Sequence, residues 1–228
     1  MIVAVIPIGT ITVSAASDNE SWEEVFSSRE NNGQTLKILK KDVKQGIKYT
    51  SQVKFVINGR EAYVTPKYTN YFSAYTVKDI CKKDAKLKKA NIWNQIEQIQ
   101  SYQISHETVI DLMDNFSAYQ MNQWSTKQLK NEVRDIAKDC RKDVLNKFAL
   151  KQLGMETPSA FEVATDVLGY IENIQGMGLF VMDVLHIWTY QAKKALGIAE
   201  AVETAETQYS SKIANGTYWL CRDIKNLK

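Results

Sequence analysis

The sequence predicts a mainly α protein: a multi-helix bundle with long helices and a small N-terminal β-hairpin region. Three observations lead to this fold class. Only three Pro and ten Gly occur among 228 residues, so few residues would interrupt a helix. Apolar residues recur in steps of three and four from Thr76 onward, which is typical of amphipathic helices. An Asn-Gly pair at 58–59 separates two short apolar runs and indicates a hairpin.

Length and charge narrow the class of protein. A chain of 228 residues that is 44% hydrophobic can build one substantial core or two modest units. Lys and Arg total 29 against 26 Asp and Glu, which gives a formal charge of only +3. The net charge of the whole chain is therefore too small to imply a nucleic-acid partner, and specific nucleic-acid binding is not expected. Any preference for an anionic partner must be local.

The N-terminal residues, MIVAVIPIGTITVSAAS, carry no charge before Asp18 and end in small residues. This pattern is typical of the hydrophobic core and cleavage region of a secretory signal peptide, although no basic leader precedes it. Residues 1–16 are therefore interpreted as a signal peptide, and the protein is expected to be secreted or associated with the cell surface. A buried strand is the alternative, because Ile, Val and Thr favour strands.

Residues 17–75 are predicted to form a small N-terminal region. Its first part, up to residue 34, is interpreted as a short helical turn around Trp22 or as a frayed start. The stretch TLKILKKDVKQGIKYTS at 35–51 is compatible with helix or strand, and the spacing of its apolar residues favours helix.

The hairpin is predicted in QVKFVINGREAYVTP, with a two-residue turn at Asn58-Gly59. Both central positions of such a turn take positive φ, which Asn and Gly tolerate. This turn would place three residue pairs opposite each other: Ile57 with Arg60, Phe55 with Ala62, and Val53 with Val64.

Residues 76–228 are predicted to form the helical bundle domain. The first helix is expected over 76–103, and a second begins after an N-cap at Ser105. A third runs from a capping box at Ser125 to a C-terminal glycine at Gly154. The last two are expected over 158–196, starting at Pro158, and over 198–227, with breaks at Gly197 and Asn215-Gly216.

One part of this domain, 163–192, is apolar enough to raise the question of membrane contact. Within NIQGMGLFVMDVLHIWTYQA at 173–192, Asp183 is the only formally charged side chain. A carboxylate at a bilayer centre costs a few kcal/mol, so a central bundle helix is favoured. Membrane insertion of this helix is the alternative.

Motifs for catalysis and metal binding are absent from the sequence, which contains no HExxH, GxSxG, P-loop or GxGxxG. Asp183, His186 and Tyr190 share a helix face, but this spacing arises easily by chance. The only other histidine, His106, is isolated. No catalytic residue, cofactor or metal site is therefore predicted, and only an enzyme assembled from distant carboxylates stays open. The wide spacing of Cys81, Cys140 and Cys221 leaves disulfide pairing open.

Two neighbouring patterns predict a binding surface. The stretch KYTNYFSAYT repeats aromatic residues at helical spacing, and Tyr suits partner or sugar recognition because it combines apolar area with a polar tip. KDICKKDAKLKK at 78–89 contains six Lys and two Asp and would attract anionic surfaces. The alternatives are that the aromatics dock the hairpin onto the bundle and that the lysines are merely solvated. The candidate partner-binding residues are Tyr68, Tyr71, Phe72, Tyr75, Lys82, Lys86 and Lys89.

These observations favour an exported, non-enzymatic interaction protein that binds a protein or an anionic surface polymer through this Tyr/Lys-rich surface. The alternative is a membrane-active, pore-forming or toxin-like helical protein in which 163–192 contacts the bilayer. The outline is similar to that of helix-rich secreted bacterial proteins, but no stretch carries a motif that assigns a family.

Overall fold

The computed structural model describes residues 21–29, 33–118, 131, 134–135, 137–139, 141–142, 149–156 and 191–227. In this part of the chain the strands are β1 (Glu23–Arg29), β2 (Thr35–Gln45), β3 (Lys48–Ile57), β4 (Arg60–Val64) and β5 (Tyr68–Tyr71). The helices are α1 (Val77–Lys83), α2 (Ala85–Lys89), α3 (Ile92–Ala118), α4 (Leu150–Leu153) and α5 (Gln191–Lys225).

The five strands form one antiparallel sheet in the order β1-β2-β3-β4, and β5 also pairs with β3. β4 pairs with the C-terminal half of β3, while β5 pairs with its N-terminal half. The two short strands therefore share one side of β3. This arrangement places the aromatic residues of β5 beside the turn that joins β2 to β3.

Burial alternates along the two long strands, as expected for a sheet with one covered face. Leu36 and Ile38 are fully buried in β2, whereas Lys37 between them is exposed. In β3, Val53 and Phe55 are fully buried in the same way. Helices cover the buried face of the sheet.

The main core joins the sheet to all of the helices defined in the described ranges. Side chains of the strands pack with those of the helices in one cluster, and the largest contributions come from Ile, Leu and Phe. Its helical members include Ile80, Leu87, Ile96, Leu153 and Leu220.

The prediction of a mainly α bundle is wrong, because the chain builds a five-stranded antiparallel sheet. The segment 35–51, for which a helix was favoured, forms β2, a turn and the start of β3. The segment predicted as a helical turn around Trp22 contains β1. Apolar residues of β2 satisfy helical and strand spacing at once, and pairing with β1 and β3 selects the strand.

The hairpin prediction is confirmed at its turn. Asn58 and Gly59 have φ of 52° and 74°, and Ile57 pairs with Arg60. The two other predicted pairs are wrong, because the register shifts beyond Val56 and Phe55 pairs with Tyr63. A β-bulge adds one residue to one strand, which the sequence pattern alone does not reveal.

The predicted helix over 76–103 is interrupted twice. Thr76 caps α1 in a capping box with Asp79, and α1 ends at Asp84, which also caps α2. A second interruption follows at Asn91, whose φ is 52°. From Ile92 onward α3 is continuous, so the prediction that Ser105 caps a new helix is wrong.

The predicted breaks at Gly197 and Asn215-Gly216 are also wrong, because α5 is continuous through both. A Cβ atom on Gly216 would lie 2.8 Å from Cγ1 of Ile99, so this glycine allows α3 and α5 to approach closely. A helix ends at Gly154 as predicted, with a left-handed φ of 88°, but it is the four-residue α4, so the helix predicted from Ser125 to Gly154 is interrupted at Ala149.

Several predictions fall on residues outside the described ranges. These are the signal peptide over 1–16, the capping box at Ser125, the helix start at Pro158 and nearly all of the apolar segment 163–192, together with Asp183, His186 and Tyr190 within it. Cys81 and Cys221 are buried thiols.

Candidate functional site

The predicted aromatic residues divide into two pairs because they lie on a strand and a turn. Tyr68 begins β5 and, with Tyr75, packs partly buried against the core. Tyr71 ends β5 and is 57% exposed, and Phe72 beside it is 78% exposed. Strand geometry points successive side chains to opposite faces, so helical spacing did not decide which aromatics face water. Tyr71 and Phe72 are the pair available to a partner.

The turn between β2 and β3 brings another apolar residue to the same end of the sheet. Gln45 pairs with Lys48, so the turn consists of Gly46 and Ile47. Gly46 has a φ of 60°, which is the conformation that the first central position of a type II′ turn requires. Ile47 at the second position is 58% exposed.

Backbone contacts bring these three apolar residues to the same end of the sheet. The N–H of Phe72 donates to the carbonyl of Ile47 at 2.7 Å, and Tyr71 is the cross-strand partner of Lys48. Ile47, Tyr71 and Phe72 therefore form one exposed group at the end of the sheet, which we call the tip cluster. Sequence reasoning did not include Ile47, although its position after Gly46 in a two-residue turn could have indicated it.

Phe72 occupies an unusual backbone conformation. Its φ is 72°, in the left-handed region that costs a residue with a Cβ about 1–2 kcal/mol. A ring that is 78% exposed gains little from packing to offset that cost. Strain of this kind occurs often at functional positions, where a side chain must be held in a particular place. Phe72 thus combines an exposed ring with a strained backbone, and nothing described within the molecule offsets either.

The predicted lysines lie on α1 and α2, which adjoin the aromatic segment. Lys82, Lys86 and Lys89 are exposed. No salt bridge is formed by any of these three within the described ranges. The ammonium group of Lys83 lies 4.8 Å from the ring centroid of Tyr75, and this cation–π contact joins the helix to the aromatic segment.

Positive charge is concentrated in one part of the chain. Residues 43–91, which we call the basic segment, contain eleven Lys and Arg and three Asp and Glu. The whole chain has 29 Lys and Arg and 26 Asp and Glu, so the remainder of the chain has 18 and 23. The net charge is therefore about +8 for the basic segment and −5 for the remainder. The small net charge therefore conceals a strong asymmetry, which is typical of a protein that meets an anionic surface.

The acidic residues of the basic segment do little to neutralise its surface. Asp79 accepts hydrogen bonds from the backbone N–H and the hydroxyl of Thr76 at 2.9 and 2.7 Å. Asp84 is only 3% exposed and serves as the N-cap of α2. The outer surface of α1 and α2 is consequently lined with lysine side chains.

Asp84 is the centre of a buried polar group that we call the Asp84 cluster, with Tyr63 and Tyr68. Its Oδ1 accepts from the backbone N–H groups of Lys86 and Leu87, both at 3.0 Å. The hydroxyl of Tyr63 donates to Oδ2 at 2.9 Å, and that of Tyr68 at 3.4 Å. Four donors thus surround a carboxylate that water scarcely reaches.

The Asp84 cluster keeps nearby groups protonated. Burial, followed by the hydrogen bond to Asp84 and its charge, raises the pKa of the Tyr63 hydroxyl well above its usual 10.0. Burial and the charge of Asp84 also raise the pKa of Tyr68. Burial, with a smaller contribution from Asp84, raises the pKa of the Cys81 thiol from 9.0 to about 12. A thiol with such a pKa is a poor nucleophile, so the cluster offers structural support rather than chemistry.

A second buried charge anchors α4 to the sheet. The side chain of Lys40 is 3% exposed and forms an ion pair with Asp42 on the same face of β2. Its ammonium group also donates to Oε1 of Gln152 at 3.0 Å. Gln152 in turn donates to Glu23 at 3.3 Å. The network connects β1, β2 and α4 and pairs the Lys40 charge within the fold, while Oδ1 of Asp42 is buried without a hydrogen-bond partner among the described residues.

Exposed aromatic residues also occur on α5, outside the basic segment. Tyr218 and Trp219 are about half exposed, and their ring centroids are 5.2 Å apart in an edge-to-face arrangement. The guanidinium carbon of Arg222 lies 4.2 Å from the Trp219 ring centroid. These rings contact each other and a cation of the same helix, so less of their surface is open than at the tip cluster.

Within the described ranges, no group of three His, Cys, Asp or Glu is arranged to hold a metal ion. None of the helices in those ranges has the length and apolar character needed to cross a membrane. The chain matches no family model, no curated protein and no solved structure.

Proposed function

We propose that this is an exported, non-enzymatic interaction protein that attaches to an extended anionic surface through its basic segment. The observation that carries the proposal is the charge asymmetry, because 49 consecutive residues contain eleven cationic and only three anionic side chains. Two of the three anions, Asp79 and Asp84, are used as helix caps. The third anion, Glu61, is exposed, so the exposed charge of the segment is predominantly positive.

The shape of this region favours a broad partner over a small ligand. Lys82, Lys86 and Lys89 project from helices, where their charges are spread over a surface. A repeating anion such as a phosphate-containing polymer can meet several of these charges at once. Each contact contributes modestly and is weakened by salt. Affinity should therefore come from the number of contacts.

The proposal is tested by retention of the full chain on immobilised poly(glycerol phosphate) in a salt gradient. We expect replacement of Lys82, Lys86 and Lys89 together by Gln to lower the slope of log affinity against log salt by about two, since each lost contact removes roughly 0.7–0.9. Elution should move to clearly lower salt.

A matched control changes the net charge equally at exposed lysines outside the basic segment, with Lys142, Lys151 and Lys225 replaced together by Gln. We expect this variant to elute close to the wild type. Equal losses in the two triple variants would mean that net charge alone governs retention, and the proposed surface would be wrong. Retention that persists at high salt would show that contacts other than charge hold the chain on the polymer, and the role proposed for the lysines would be wrong.

The alternative of a pore-forming protein depends on 163–192, of which only 191–192 are described, so it stays a prediction. Leakage of dye from anionic and neutral vesicles tests it. A pore-forming protein should cause leakage that Asp183→Lys reduces, whereas an interaction protein should leave both kinds of vesicle intact.

A further inference from the structure

We infer that the anionic surface is a lipid bilayer, and that the tip cluster inserts among its headgroups while nearby lysines contact lipid phosphates. This inference rests on the proposed function and names the partner of the same surface. It concerns Ile47, Tyr71 and Phe72, together with Lys44 and Lys48 beside them.

The first argument is the apolar character of the tip cluster. Its three side chains are 57–78% exposed and belong to residues whose backbones meet at one end of the sheet. A hydrated polymer would leave this apolar surface in water, whereas a bilayer offers an apolar layer directly beneath its charged groups. The combination of apolar and positive groups therefore favours lipid over polymer.

The second argument is the charge around the tip cluster. Lys44 and Lys48 are exposed on the two strands that lead to the turn, and Lys48 is the cross-strand partner of Tyr71. From Val43 to Lys78 the sequence has six Lys and Arg and only one acidic residue, Glu61. Lysines near an anionic leaflet are attracted to it, and their long stems allow the ammonium groups to reach the headgroups while apolar neighbours go deeper.

The third argument is that the backbone of the tip cluster is already paired. The N–H of Phe72 is bonded to the carbonyl of Ile47, and β5 is paired with β3 as far as Tyr71. Entering an apolar layer is costly for unpaired backbone groups, and this pairing removes part of that cost. Tyr71 suits the headgroup level because its ring is apolar and its hydroxyl is polar. The cluster is thus suited to shallow insertion.

Binding to vesicles tests the inference. We expect the full chain to co-sediment with vesicles of phosphatidylcholine mixed with phosphatidylserine, and much less with phosphatidylcholine alone. Phe72→Gly should weaken binding at least about tenfold, because the most exposed apolar side chain of the tip cluster is lost. Tyr218→Ser, which removes an exposed aromatic residue outside the basic segment, should leave binding unchanged. Thermal unfolding of each variant verifies that it is folded.

A second variant reports the position of the tip cluster directly. Because the wild type already contains five Trp, Phe72→Trp is compared with it, and the added emission should be quenched by brominated lipid in anionic vesicles. Phe72→Gly should keep its retention on poly(glycerol phosphate), since the lysines are intact.

The outcomes separate this inference from the proposed function. Loss of vesicle binding in Phe72→Gly with unchanged polymer retention supports insertion. Vesicle binding that depends on the lysines but not on Phe72, or an added Trp that brominated lipid does not quench, overturns insertion and leaves the proposed function standing. If the chain binds neither vesicles nor polymer, both are wrong.

Discussion

The tip cluster and the Asp84 cluster both place side chains where their chemistry is unfavourable. Asp84 is only 3% exposed although its side chain is a carboxylate, and Phe72 is 78% exposed although its ring is apolar. The two clusters differ in whether other interactions in the molecule offset this unfavourable placement. Four donors of the same chain surround Asp84, whereas the conformation of Phe72 adds backbone strain to its exposure. The buried carboxylate is compensated within the molecule and supports the fold, whereas the exposure of Phe72 is the feature that the proposed contact with a bilayer would explain.

Substitutions in the two clusters should therefore affect the free energy of unfolding differently. Removing a group that the fold depends on lowers the free energy of unfolding, whereas removing an exposed and strained group leaves it unchanged or raises it.

The largest effect is expected for Asp84→Ala. This change removes the N-cap of α2 and leaves the hydroxyls of Tyr63 and Tyr68 without their acceptor. We expect the free energy of unfolding, measured in urea, to fall by about 3 kcal/mol. Asp84→Asn keeps an acceptor and a good cap, so it should lose only about 1 kcal/mol. A loss in Asp84→Ala no greater than in Asp84→Asn would contradict the role given to the cluster.

The next effect is a loss of stability at high pH. A thiol whose pKa is raised on folding favours the folded state fully below its unfolded pKa of 9.0 and progressively less above it. With a folded pKa of about 12, Cys81 should cost about 2 kcal/mol of stability between roughly pH 9 and 11. Tyr63 and Tyr68 shift in the same direction and extend the loss above pH 10.

Urea unfolding of Cys81→Ala at several pH values isolates the contribution of the thiol. Each protein is compared with its own stability at neutral pH, because the substitution also removes buried volume. The variant should lose less stability than the wild type between about pH 9 and 10, before the tyrosines titrate. Identical slopes in the two proteins would show that Cys81 is not the group responsible.

A smaller effect is expected for Tyr63→Phe, which deletes one hydrogen bond to Asp84 while keeping the ring. We expect the free energy of unfolding to fall by about 1 kcal/mol. Tyr71→Phe is the matched control, since its hydroxyl belongs to a side chain that is 57% exposed, and it should have no measurable effect. If the control were as costly as Tyr63→Phe, the contrast between the clusters would not hold.

The smallest effect is expected for Phe72→Gly. Glycine relieves the strain at a φ of 72° but gains conformational freedom in the unfolded chain, so these terms largely offset each other. The free energy of unfolding should stay unchanged or rise by up to about 1 kcal/mol in urea unfolding. A fall of more than about 1 kcal/mol would show that the ring stabilises the fold, which would remove the strongest reason to regard it as a contact.

The sequence predicted local features better than the arrangement of elements. The turn at Asn58-Gly59 and the helix end at Gly154 were predicted and are confirmed. Both depend on a glycine that tolerates positive φ, which is a property of the residue itself. By contrast, β2 was predicted as helix because Leu36, Leu39 and Val43 also fit helical spacing.

Part of the candidate binding surface was also predicted from the sequence. The contact between Lys83, which was not among the predicted residues, and Tyr75 shows that the lysine-rich helix α1 adjoins the aromatic segment, and binding by the predicted residues stays a prediction. Their division into inward and outward side chains was not predictable, because it depends on β5 pairing with β3. Ile47 joins the tip cluster only through a hydrogen bond with Phe72, 25 residues further along the chain.

The sequence by itself determined the concentration of positive charge at 43–91 and the positions where the backbone turns, since charge and φ preference belong to individual residues. The tertiary structure decided that 35–45 is a strand, that α1 and α2 separate at Asp84, and which aromatic side chains face water. These outcomes depend on hydrogen bonds and burial between residues far apart in the chain. Local spacing contains no information about which distant partner will supply them.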